Sequence, residues 1–274
     1  MPTFNTISVE KLSRLVGTKS APAIIDVRDG TNDQLLLASL QRDPHDVAAW
    51  ADSFRGKSAV VACGDGGGLS AGVAAYLRSE GVEAEVLEGG FGAWRAAGLP
   101  VIDAGKLPGR DVHGRTMWVT RARPKVDRIA CPWLIRRFID PLAVFLFVAP
   151  AEVAGVAERF GAAPFDVDGV FWSHRGENCT FDALVHELGL TGFEALARLA
   201  VIVRGADTGR PELAPQVAGL VAASLGLSRM HSDDMAQLED GMSLYDAFYR
   251  WCRDAVDETH DIVSHIPRRG AQAR

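Results

Sequence analysis

Short apolar runs along the chain alternate with stretches whose apolar residues recur every three or four positions, and these two periods predict strands and helices respectively. Ile7 to Leu12 opens a helix with Ser8 as its cap, and Ala23 to Arg28 is a short buried strand that ends in charge. Leu35 to Leu40 and Val47 to Phe54 are expected as short helices. Lys57 then leads into Val60 to Cys63, an apolar, β-branched run that predicts a buried strand. The small and apolar residues after Ser70 predict a helix on that strand with Ser70 at its N-cap. Gly81 to Leu87 alternates apolar with polar, the mark of a half-exposed strand, and Glu88 to Trp94 turns into a helix closed by Gly98 and Pro100. Strands alternating with helices predict a parallel α/β sheet with flanking helices.

Asp103 to Arg115 has no apolar period and is rich in Gly, Pro and charge. It divides the chain into expected domains at 1–104 and 116–264, with 105–115 as linker and 265–274 as a tail around Arg268 and Arg269. The second part reads as helix-rich α+β. Thr116 to Thr120 is a strand, followed by an amphipathic helix starting near Pro132 and stopped by Pro141. A strand over Val144 to Val148, a helix over Val153 to Phe160 and a short strand over Val170 to Trp172 follow. Thr180 caps a predicted helix over Phe181 to Leu188. Leu213 to Leu227 is expected as a core helix, with two further helices opening at His231 and running over Leu244 to Val256.

Composition changes the picture mainly by exclusion. The 274 residues are 47% hydrophobic and 23% charged, as in a soluble globular protein. The most apolar stretch, Leu142 to Ala149, falls far short of the roughly 20 residues a membrane span needs. Met1 to Thr6 offers neither the basic nor the apolar region of a secretory signal, so a cytoplasmic protein is expected. The four cysteines, at 63, 131, 179 and 252, are too scattered for a zinc ribbon or a disulfide framework. A net charge of −6 and a pI near 5.7 disfavour a nucleic-acid partner, though not a small basic pocket.

The candidate chemistry lies in two places. Cys63 stands at the carboxyl end of a strand, followed by Gly64, Asp65, Gly66, Gly67, Gly68, Leu69 and Ser70. Such a glycine run implies sharp turning or close approach to a ligand, and backbone N–H groups beside a helix start favour a thiolate, so Cys63 is the candidate nucleophile, with a buried structural cysteine as the alternative. Asp26 and Arg28 form its rim, where a local salt bridge is the plainer reading. In the second part six positive charges lie between Arg121 and Arg137, either a solvated face or the mouth of an oxyanion site. Arg128, Arg136, Arg175 and Arg204 are the oxyanion candidates. His174, Glu177, Cys179 and Asp182 offer transition-metal ligand types within nine residues, at the end of a strand and the start of a helix. A hydrogen-bonded structural loop fits the same residues. Asp207, His231 and Asp233 extend the metal set, with Glu239 a weaker member and His186 placed one turn beyond Asp182. A transition metal of unspecified identity is the candidate cofactor, and a small inorganic anion or a sulfur donor or acceptor the candidate partner.

Asp26-Val27-Arg28, Cys63 and Leu87-Glu88-Gly89-Gly90-Phe91 with Trp94 resemble the motifs of the rhodanese family over roughly residues 5 to 104. The resemblance implies a persulfide-carrying cysteine that moves sulfane sulfur from a donor to a thiophilic acceptor. The sequence lacks the Gly-His-Ile-Pro-Gly motif usual in that family. Its loop is one residue longer than the usual sulfurtransferase loop, as in phosphatase and arsenate-reductase relatives, and Leu69 stands where an arginine normally precedes the serine. Residues from about 115 to 262 resemble the chromate-resistance ChrB carboxyl-terminal domain. The carrying motifs are Val126 to Phe138, Ser173 to Glu177 with Cys179 to Asp182, Val203 to Thr208 and Tyr245 to Tyr249. That resemblance implies a role in chromate resistance, as an accessory or chromate-responsive component beside an exporter. Two readings follow: a rhodanese-like sulfurtransferase joined to a metal- or oxyanion-binding domain, or a non-catalytic chromate or metal sensor with a degenerate rhodanese part.

Overall fold

The computed structural model describes residues 5–30 and 32–258, so the tail expected around Arg268 lies outside the described residues. Five parallel strands form the first sheet: β1 (Thr6–Ile7), β2 (Ala23–Asp26), β4 (Ser39–Gln41), β5 (Ser58–Ala62) and β6 (Glu83–Leu87), in the order β1-β6-β5-β2-β4. β5 sits at the centre with Val60, Val61 and Ala62 fully buried, as expected of a strand covered on both faces. The helices α1 (Val9–Leu15), α2 (Val47–Trp50), α3 (Gly68–Ser79) and α4 (Gly90–Ala96) flank it. Ser8 caps α1, its hydroxyl accepting the Lys11 N–H at 3.3 Å.

Two expectations fail in this half. Leu35 to Leu40 is not helical. It is split into β3 (Gln34–Leu35) and β4 around Ala38, whose φ of 51° no helix permits. Leu36 and Leu37 drive the segment inward, so burial overrides its helical propensity. Ser70 does not cap α3 either. Gly67 takes the N-cap, and Ser70, inside the first turn, hydrogen-bonds back to the Gly67 carbonyl at 3.1 Å.

The second half is built on a three-stranded parallel sheet, β8 (Met117–Arg121) between β9 (Val144–Val148) and β10 (Ala163–Pro164). Its helices are α5 (Asp127–Leu134), α6 (Val153–Phe160), α7 (Thr180–Glu187), α8 (Glu194–Asp207), α9 (Val217–Met230) and α10 (Asp234–Asp254). The helix expected to begin at Pro132 begins at Asp127 and carries Pro132 inside, then continues as a π-helical turn over Ile135–Ile139. Proline removes an i to i−4 bond, and the widened turn after it keeps Ile135, Phe138 and Ile139 on the buried side. Cys179, not Thr180, caps α7, in a box closed by the Asp182 carboxylate on the Cys179 N–H. Val170 to Trp172 makes only an isolated bridge from Trp172 to Phe165. α9 buries only Val217, Leu220, Ser224 and Ser228, so it lies on the surface rather than in the core. The two helices expected near the end are one, running through Gly241, where a Cβ would stand 2.6 Å from Ile129 Cγ2.

The segment expected as a linker holds a 3-10 turn at Ala104–Lys106 and a bridge from Arg110 to Thr116. β3 pairs with β7 (Ile102–Asp103), and the Ala38 N–H donates to the Phe138 carbonyl at 2.7 Å. Gly17, at φ 80°, leaves room for the Phe138 ring, which a Cβ would meet at 2.2 Å. One apolar cluster therefore joins Leu12, Leu37 and Trp94 of the first half to Trp133, Phe138 and Phe181 of the second. No helix among the described residues is long and apolar enough to cross a membrane.

Candidate functional site

The cleft in the second half sits at the carboxyl ends of β8 and β10, where open α/β sheets place their ligands. β8 ends in Arg121, and Asp127 opens α5. Asp166 follows β10, Ser173 and His174 come from the next loop, and Asp207 is the last residue of α8. Asp127 and Asp166 were joined to the others by no sequence signal. The imidazole Nε2 of His174 lies 3.1 Å from Asp207 Oδ2, 3.4 Å from Asp166 Oδ1 and 3.8 Å from Asp127 Oδ2. Ligand atoms of Asp127, His174 and Asp207 all fall within 4.8 Å of one another, the spacing of a metal-binding group.

The backbone fixes Asp127 firmly. Val126 before it is held at φ 42°, a strained conformation for a β-branched residue, and its carbonyl accepts from the Tyr245 hydroxyl at 3.0 Å. Asp127 is fully buried, and its Oδ2 accepts the Thr180 N–H at 2.6 Å and the Phe181 N–H at 3.3 Å. These are first-turn donors of α7, which have no partner within their own helix. Its Oδ1 has no hydrogen-bond partner. Burial, then the Asp207 and Asp166 charges, push the Asp127 carboxyl well above the usual carboxylate range. Asp207 is raised too, by burial and then Asp166, against the pull of His174. It also stands at the carboxyl end of a helix, where the dipole disfavours an acid and a cation would relieve it.

A cationic wall faces these acids. Arg121 Nη2 donates to the Asp166 carbonyl at 2.9 Å and to its Oδ2 at 3.0 Å, and Arg128 Nε lies 3.3 Å from the same Oδ2. Burial pulls the Arg128 guanidinium below its ordinary value. Lys125 lines the cleft half-buried, with no ion pair among the described residues.

Of the metal candidates, the structure gathers only His174 and Asp207. Asp182 is held bidentate by Arg204 at 2.8 and 2.9 Å, which removes both from the cleft. Cys179 is buried, its thiol donating to Asp182 at 3.3 Å, and burial followed by Asp127 pushes that thiol far up. Glu177 pairs with Arg210 on the surface, His231 with Asp240, His186 lies 3.6 Å from Glu187, and Asp233 caps α10. Of the oxyanion candidates only Arg128 lines the cleft. Arg136 pairs with Glu239 and Arg175 with Glu187. The acids that sequence reasoning missed, Asp127 and Asp166, each sit beside apolar residues, Val126 and Phe165. A charge in such a setting is buried only with partners, and that was the available signal.

In the first half Cys63 lies at the end of β5, 3% exposed, with its sulfur 3.1 Å from Ser70 Oγ. Its thiol donates to Asp65 Oδ1 at 3.3 Å, and the Gly67 N–H donates to the same oxygen at 2.9 Å. The Asp65 carboxylate thus takes up a loop N–H, and that bond, then the Cys63 thiol, hold it below its ordinary range. Gly64 accepts the Gly92 N–H, Gly68 starts α3 and Leu69 is exposed on its first turn. Gly66 and Gly90 interlock, because a Cβ on Gly90 would stand 2.4 Å from the Cys63 carbonyl and 2.6 Å from the Gly66 N–H. Asp26 and Arg28 form the local salt bridge, at 2.6 Å, and the guanidinium stacks 3.7 Å over Phe91.

Comparison with known proteins bears on both halves. Residues 118–252 match the ChrB C-terminal domain family. The second half is a ChrB C-terminal domain. Protein ChrB of Cupriavidus metallidurans is 36% identical over 149 residues, which are 53% of this chain and 44% of that protein. The chain therefore spans less than half the length of the curated relative it matches. Solved structures of rhodanese-related proteins align over about a third of this chain. A rhodanese-related protein from Thermoplasma volcanium aligns with 24% identity, covering 36% of this chain and 98% of its own, at a TM-score of 0.33. A rhodanese-like domain protein from Staphylococcus aureus aligns with 26% identity, covering 33% and 91%, at a TM-score of 0.30. The His174 cleft lies wholly within the ChrB domain.

Proposed function

We propose that this protein acts in chromate resistance by binding a divalent transition metal in its ChrB domain, through Asp127, His174 and Asp207. The observation that carries the reading is the convergence of one imidazole with these carboxylates around the fully buried Asp127, one oxygen of which has no partner. A buried acid without a full set of partners is costly, and a cation on it removes that cost. One nitrogen and two carboxylate ligands suit Mn(II), Fe(II) or Zn(II) better than the all-oxygen shells of calcium and magnesium. Four unpaired thiols among the described residues fit a reducing, cytoplasmic setting. The test is elemental analysis after equilibration with Mn(II), Fe(II) and Zn(II) and gel filtration. Stoichiometric metal is expected in the wild type and in Cys179→Ala, but not in His174→Ala or Asp207→Asn. A wild type that retains none of the three overturns the reading.

A sulfur-carrying role for Cys63 is a second reading, supported by its place at the strand end beneath the glycine loop. Its sulfur would attack the sulfane sulfur of a donor such as thiosulfate, breaking the S–S bond and releasing sulfite. An acceptor such as cyanide would then take the sulfur and leave as thiocyanate. Thiocyanate formation lost in Cys63→Ser supports that role, and its absence in the wild type removes it.

A further inference from the structure

We infer that the His174 cleft takes an organic ligand through an anionic oxygen head group, phosphate or carboxylate, which bridges the bound metal and Lys125. This rests on the metal reading and adds the class of molecule that the metal receives. Three features support it.

Lys125 is half-buried on the cleft wall and has no anionic partner among the described residues, whereas Arg121 and Arg128 are both committed to Asp166. Its buried stem holds an ammonium that no carboxylate of the described residues neutralises, so that charge is open to an anion from outside the chain. Arg121 Nε, on the same wall, is a buried donor with no partner. The charges point the same way. Lining the cleft, Arg121, Lys125 and Arg128 balance Asp166, Asp168 and Asp207, so a divalent ion leaves a net positive site even when Asp127 ligates it as a carboxylate.

Size then sets the class. The cleft measures about 430 Å³. At about 10–15 Å³ per water-sized atom on this measure, the five heavy atoms of a bare tetrahedral anion fill at most about a sixth of that space. The volume lies within the range of small-molecule sites, so the anionic group is the head of a larger molecule. Metal and ligand then bind cooperatively, each raising the affinity of the other by the same factor.

The test uses the full chain, with Mn(II) binding followed by water-proton relaxation. Calorimetric titrations with phenyl phosphate, benzoate and inorganic phosphate are run with and without Mn(II). Phenyl phosphate or benzoate is expected to bind about tenfold or more tightly with Mn(II) present, within the usual range of coupling, and more tightly than inorganic phosphate. Which of the two shows the gain identifies the head group as phosphate or carboxylate. Lys125→Gln should lose the coupling and keep its Mn(II) affinity. Mn(II) binding with no coupling to either organic anion overturns the inference while leaving the metal reading intact. So does coupling that survives in Lys125→Gln, or inorganic phosphate binding as tightly as phenyl phosphate. A wild type that binds neither Mn(II) nor, in the elemental analysis, Fe(II) or Zn(II) overturns the metal reading itself.

Discussion

Asp127 and Thr180 are 53 positions apart, yet the Asp127 carboxylate accepts the Thr180 backbone N–H at 2.6 Å, so the start of one helix anchors the start of another beneath His174. The bond ties α5 to α7 and holds a fully buried acid against two other carboxylates.

That arrangement has a cost in the metal-free protein. Asp127 is raised in the folded state, so the folded chain binds more protons than the unfolded one above the ordinary aspartate range, and stability falls as pH rises from there. Asp127→Asn keeps an acceptor for the α7 N–H groups and removes the charge. Metal-free Asp127→Asn should melt a few degrees above the wild type at pH 7, each kcal/mol being worth about 2–4 °C in a chain of this size. The difference should vanish near pH 4, and added Mn(II) should no longer raise the melting temperature. A lower melting temperature than wild type at pH 7 would refute the argument.

Asp65 governs which reagents reach Cys63. Its carboxylate lies 3.3 Å from the sulfur, so an anionic reagent approaching that sulfur meets a like charge. Asp65→Asn should raise the alkylation rate with iodoacetate several-fold relative to that with neutral iodoacetamide. Mass spectrometry should assign that reaction to Cys63. Burial raises the thiols of Cys131, Cys179 and Cys252, with Cys252 at about 11, and these three should stay unmodified at pH 7.5 in the folded protein.

The contact beneath the Cys63 loop tolerates no side chain. Gly90→Ala combines a positive φ with a Cβ 2.4 Å from a carbonyl oxygen, so the loop or α4 must shift. A loss of about 2 kcal/mol or more is expected, read as a drop of several degrees in thermal melting. Gly68→Ala, with nothing within 4 Å, should leave the melting temperature almost unchanged.

Phe138 belongs to both halves. It packs on Trp133, Phe193 and Tyr249 of the ChrB domain and fills the space left open at Gly17. Phe138→Ala should cost about 3–5 kcal/mol, and wild-type calorimetry should show one transition, since one apolar cluster spans the two sheets. Two separate transitions, with Phe138→Ala affecting only one, would show the halves to be independent.

Much of the fold was legible in the sequence because its signals are local. The apolar runs at Val60 and Val144, the alternation before Leu87 and the cap at Ser8 each correspond to an element of the structure. Failures came where tertiary burial or a special backbone conformation decided the outcome. Ala38 in the left-handed region turns a leucine-rich helix pattern into two strands, and the π turn after Pro132 lets a helix run through a proline. The site was half legible for a related reason. His174 and Asp207 announce themselves by sitting among loop-forming residues. Asp127 looks like an ordinary first-turn acid of a helix, which is favourable at that position anyway, and only the fold shows where it points. Cys179, Asp182 and Arg204 offered ligand chemistry by type, but their bonds to one another use it up.

The seating of Phe138 against Gly17 also limits how this chain can be rearranged. The aromatic face of the ChrB domain around Phe138 is closed by Gly17 and by the Ala38 backbone N–H, both from the other half. A ChrB domain cut free at residue 116, or grafted onto an unrelated partner, would present that face to water and tend to self-associate. Any chain that carries this domain behind a different leading segment must supply its own cover for the same ring.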